Sequence, residues 1–184
     1  LTRYGGEDQK APVVDRRQVS GNLLSLFDAS MSFVTRYVDL WDARPSRRTI
    51  DEQAVATDEP SEAFVRGRAN YHRGAIIEAL INLLAHCDWG PRDREARVNI
   101  FDESIELLNP APDLALPVVS LRYGVAIPPN PRLKAVITNP HYGIPPSTGG
   151  LPRLIADSRA FARRAPEGPT LVNREFRLKL FGLC

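Results

Sequence analysis

The chain has 184 residues, 43% of them hydrophobic and 25% charged, with a formal net charge of +2. This is the size and composition of an ordinary soluble domain, long enough to bury a core without disulfide or metal support. No apolar run reaches the ~18 residues that a membrane span needs. Two cysteines make no disulfide framework, and no Cys-x-x-Cys or His-x-x-x-His spacing marks a metal site. No cofactor is expected.

Residues 1–19 are polar, without sustained periodicity, and read as a flexible N-terminal arm. They contain no apolar core of the kind a signal peptide has, so a cytoplasmic or virion/particle location is expected. Residues 20–109 read as a helical core. In 22–43, Leu24, Phe27, Met31, Val34, Val38 and Trp41 follow a 3,4,3,4,3 spacing, with Ser20 or Asn22 to cap the start. The apolar surface is wider than one core stripe requires, as for a helix packed on two sides.

Residues 44–60 form a charged connector. Ser61 and Glu62 then open a second helical region that runs to about Asp88, weakened in its first half by Gly67 and Gly74. Its second half, "AIIEALINLLAHC", buries Ile77, Leu80, Ile81 and Leu84, while Arg66, Arg68, His72 and Arg73 sit on the first half. A third helix is expected from Pro91 to Leu108, because Val98, Phe101, Ile105 and Leu108 keep a 3,4,3 spacing. On that helix Glu103 and Glu106 would share a face.

Residues 110–184 change character. Twelve of the sixteen prolines lie between Pro110 and Pro169. "ALPVVSLRYGVAI" and "RLKAVIT" read as short strands in an extended path, followed by one helix near 152–164. In the tail, Phe176, Leu178 and Leu180 alternate as in a strand, with a short helix as the other reading. The expected fold is mainly α, with three to four helices and an extended, proline-rich C-terminal half containing short β-strands; α+β is the alternative.

Charge follows the same division. Residues 1–113 carry 14 Arg/Lys against 19 Asp/Glu, and residues 114–184 carry 10 against 3. A basic half suits nucleic acid, an acidic protein surface, or the acidic half of a second copy. The candidate contacts are Arg153, Asp157, Arg159, Arg163 and Arg164 on the late helix, with Arg66, Arg68 and Arg73 earlier. Arg153 and Asp157 stand four apart and can bridge; Arg159 and Arg163 share a face.

The usual nucleotide-binding signatures fail. "STGG" before a helix has the ingredients of an anion nest, but no Gly-Lys-Ser/Thr follows, and Pro152 removes one N–H donor. No nucleophile elbow is present. His141 in its Pro/Gly loop is a candidate for a small enzyme's lid, and Cys87 with His141 would make a thiolate pair only if the fold joined them.

"HYGI" at 141–144, the Arg153–Asp157 spacing and the closing "LFGL" resemble the C-terminal region of potyvirus-type flexuous filament coat proteins, without the Ala-Phe-Asp-Phe string found there. That resemblance implies an RNA-contacting Arg and Asp in the helix after the Tyr-Gly loop. The function expected is a non-catalytic structural subunit of a larger assembly, coat- or nucleoprotein-like. Its basic half would contact RNA or DNA, or neighbouring copies. The alternatives are a monomeric adaptor for an acidic protein partner, or the small enzyme with His141.

Overall fold

The computed structural model describes residues 1–42, 68–90, 94–112, 117–124, 128–147 and 149–183. Strands β1 (Thr2–Tyr4) and β2 (Val13–Arg16) form a hairpin and precede helix α1 (Leu23–Tyr37). Two short parallel strands, β3 (Asp39–Trp41) and β4 (Asn70–His72), lead into helix α2 (Arg73–His86). Strands β5 (Arg97–Ile100) and β6 (Ser104–Pro110) follow, then a 3₁₀ turn over Val118–Tyr123 and helix α3 (Pro131–Ile137). Helix α4 (Gly150–Ala162) precedes the final hairpin, β7 (Glu167–Val172) and β8 (Glu175–Phe181).

Six strands make one sheet in the order β2-β1-β5-β6-β8-β7, antiparallel except where β1 pairs with β5. The side-chain period of two sorts its faces. Val98, Ile100, Ile105, Leu107, Leu178 and Leu180 turn inward and join the core that α1, α2 and α4 complete. The opposite face is polar, yet Glu106 on it is only 2% exposed. Gln9 and Asn99 each donate to its Oε2 at 3.0 Å, and Arg177 donates to Oε1.

The molecule is therefore α+β, and the expectation of a mainly helical fold is overturned. The chief cause is Pro91–Leu108. Val98, Phe101, Ile105 and Leu108 satisfy a helical spacing, but Val98/Ile100 and Ile105/Leu107 satisfy strand alternation equally well. The four inward residues fit the sheet core, so tertiary packing decides. Glu103 then falls at the hairpin turn, exposed, and Glu106 on a strand, buried, so the two do not share a helical face.

The N-terminal residues read as an arm supply β1 and β2. "RLKAVIT" is mostly helix α3, and "PVVSLRYG" is a 3₁₀ turn. The proline-rich half is not an extended path, since β8 lies inside the sheet and α4 packs against α2. Asn22 caps α1, its side chain accepting the Ser25 N–H at 2.9 Å. The connector 44–60, Ser61 and Glu62 lie outside the described residues.

Leu154 on α4 is fully buried in the core. Leu154→Ala should cost ~2–5 kcal/mol of stability through lost burial and a residual cavity. Arg159→Ala on the exposed face should change it by less than about 0.5 kcal/mol. Urea unfolding of the two variants checks the contrast.

Candidate ligand pocket

Helix α2 carries Glu78, Asn82 and His86 at successive four-residue steps, which places them along one face. That face looks into a cavity of 170 Å³ bounded by α2, α3, the 118–123 turn and the start of α4. Ile81, Ala85, Leu121, Leu151 and Phe176 give it an apolar lining, and Lys134 lines it from α3.

Glu78 is the most deeply placed charge of this cavity, 2% exposed. A buried carboxylate survives only with hydrogen bonds or a counter-charge. Asn82 Nδ2 donates to the Glu78 main-chain oxygen at 2.9 Å and to Oε1 at 3.3 Å. Ser147 Oγ donates to the same Oε1 at 2.7 Å, across from the loop before α4.

His86 at the other end is held neutral. Burial, then the positive charge of Lys134, lowers its pKa to about 4. Asn109, also 2% exposed, donates to the carbonyls of His86 at 3.3 Å and Pro110 at 3.2 Å. Next to it, burial and the charge of Asp88 push the Cys87 thiol up to about 12, so it stays protonated and is no nucleophile at neutral pH.

The start of α4 supplies the remaining polar groups. Its N-cap is Gly149, with no side chain to cap the first turn. Gly149 at φ +141° and Gly150 at φ +67° hold backbone conformations that a residue with a Cβ rarely adopts. Pro152 lacks an N–H, which leaves the Gly150 and Leu151 amides as uncapped donors at a helix start, where the dipole favours an anion. Gly149, Gly150 and Leu151 all line the cavity.

The residues singled out for nucleic acid are spread over two regions. On α4, Arg153 Nε bonds Asp157 at 2.8 Å. Arg159 is exposed, and Arg163, at φ +56°, ends the helix with a left-handed backbone. The Arg164 guanidinium lies 3.4 Å over the Phe181 ring. Arg68 is built into the fold: it donates to the carbonyls of Thr35 at 2.8 Å and Val38 at 3.2 Å and lies 3.5 Å from Asp39, tying the end of α1 to β3. Arg73 stands 4.0 Å from Asp42, and Arg66 lies outside the described residues. Arg159 and Arg163 are exposed and make no ion pair among the described residues. His141 is exposed and does not line the cavity, which counts against a lid built on it.

No protein-family profile matches the chain, and no curated protein is similar to it in sequence. Among solved structures, it is similar to the crystal structure of the DIP2311 protein from Corynebacterium diphtheriae, with a TM-score of 0.65 at 14% identity. The match covers 98% of this chain and 33% of that one, so the chain spans about a third of that protein's length. The likeness shows the fold alone.

The neutral His86 links the pocket to stability. Its folded pKa is depressed from 6.5 to about 4, so between those values the unfolded chain takes up a proton that the folded chain refuses. The stability this represents is present above about pH 6.5 and is lost as the pH falls towards about 4. His86→Gln should therefore flatten the fall in urea midpoint between about pH 7 and about pH 5. An unchanged slope would show that His86 titrates normally in the folded protein.

Proposed function

We propose that this domain binds a small phosphate-bearing ligand of the nucleotide class in the pocket between α2, α3 and the start of α4. The observation that carries this reading is the meeting of three features in one cavity. They are an apolar lining, a buried carboxylate with its amide neighbour, and an uncapped helix start flanked by two left-handed glycines. Ligand pockets combine apolar walls with a few convergent polar groups in this way.

The enclosed volume is smaller than the ~300–1,000 Å³ typical of pockets that hold a whole drug-sized ligand. It takes one ring-sized group between Ile81, Leu121 and Phe176. The anionic part then lies at the mouth, on the Gly150 and Leu151 amides. An anion beside Glu78 needs a positive bridge. Among the described residues no group of three His, Cys, Asp or Glu side chains is placed to hold a metal ion, so the bridge is a divalent cation brought by the ligand. Mg²⁺ is commonly held by one or two carboxylates together with substrate phosphates.

A second reading keeps the assembly subunit. Arg159 and Arg163, exposed on one helix, offer guanidinium groups to a nucleic acid or to the acidic surface of another copy, in a coat- or nucleoprotein-like particle.

For the first reading, titration calorimetry with a purine nucleoside triphosphate and Mg²⁺ should give saturable binding. Chelating the metal should weaken it, and Glu78→Gln should weaken it by at least about tenfold, the loss of one charge-assisted contact. No binding by the unmodified protein, or unchanged binding by E78Q, rejects it. For the second, Arg159→Glu with Arg163→Glu should lower affinity for single-stranded RNA and flatten its salt dependence; salt-independent binding, or none at low salt, rejects it.

A further inference from the structure

The inference concerns regulation of the same pocket and rests on the ligand reading above. Ser147 belongs to an exposed loop, yet its hydroxyl is spent on the buried Glu78 carboxylate at 2.7 Å. The loop is stiff on one side of Ser147 and pliable on the other. Upstream, Ile144 is 2% exposed in the core, and Pro145 and Pro146 fix two successive φ angles. Downstream, Gly149 and Gly150 reach φ values open mainly to glycine, so the chain re-aims there at little steric cost.

We propose that Ser147 is an internal competitor for the pocket. Its hydroxyl occupies the carboxylate oxygen that a cation accompanying the ligand must take, so the site is closed by the chain's own loop until ligand displaces it. Glu78 does not lose its hydrogen-bond acceptance when the hydroxyl leaves; it exchanges a loop donor for the cation. The contact is strong enough to matter, because a hydrogen bond to a charged group is among the strong ones, yet it is a single bond and reversible. The glycine pair lets the loop swing without disturbing α4, whose Leu151 and Leu154 stay anchored in the core.

The consequence is the opposite of what a ligand-contacting serine gives. Ser147→Ala should tighten binding of the nucleoside triphosphate with Mg²⁺ by roughly tenfold. The gain should appear in the association rate, since the barrier removed lies in the free protein. Ser147→Thr, which keeps a hydroxyl, should bind like the unmodified protein. Stopped-flow binding of a fluorescent triphosphate analogue to the three proteins reads all of this. Weaker binding by S147A would make Ser147 a ligand contact, and equal binding would make it a bystander; either result overturns the inference while leaving the pocket itself intact. Failure of the unmodified protein to bind at all would instead bring down the ligand reading.

Discussion

The rest of the structure depends on how α2 is enclosed. Ala75, Ile76, Glu78, Ala79, Leu80, Ile81, Leu83, Leu84 and Ala85 are all buried on it, so it is covered nearly all round, as a helix at the centre of a core must be. The sheet lies against one side through β6, α1 against another, and α4 against a third. A helix so placed has no solvated face on which to carry a carboxylate. Glu78 is nonetheless there, and its burial is tolerable only because Asn82 and Ser147 donate to it. The pocket is what this arrangement leaves between α2 and the elements that close over its polar side.

The same constraint sorts the arginines. Those near the core are consumed by it: Arg68 holds the last turn of α1 to β3 through two carbonyls and Asp39. Arg177 neutralises Glu106 on the outer sheet face. Arg153 is closed on its own helix by Asp157, and Arg164 is laid on Phe181. The excess of positive charge in the second half of the sequence is therefore less available than a count of residues suggests, with Arg159 and Arg163 the exposed members of the α4 series.

Parts of this were legible in the sequence and parts were not, for physical reasons. The spacing of Leu24 to Val38 marks α1 because a long amphipathic pattern has one interpretation, and Asn22 caps it. The alternation of Phe176, Leu178 and Leu180 marks β8. The β5–β6 hairpin was not legible, because an apolar spacing of three and four also contains an alternation of two over so short a span. Proline density misled in the other direction: Pro131 begins α3 and Pro152 sits in the first turn of α4, both places where a missing N–H costs little. The pocket left one readable sign. Glu78, Asn82 and His86 interrupt the apolar run "AIIEALINLLAHC" at regular four-residue steps, which is a polar stripe where the helix otherwise has none. That Gly149 and Gly150 face the same stripe across the fold is a tertiary fact, and no local pattern carries it.

The central claim is that a ligand's anionic part sits on the first turn of α4 while its cation engages Glu78. Amide hydrogen exchange resolved at Gly150 and Leu151, with and without saturating nucleoside triphosphate and Mg²⁺, tests it most directly. The account predicts slowed exchange at both amides, with Glu78→Gln losing that protection. Unchanged exchange at this turn in the presence of bound ligand would contradict it.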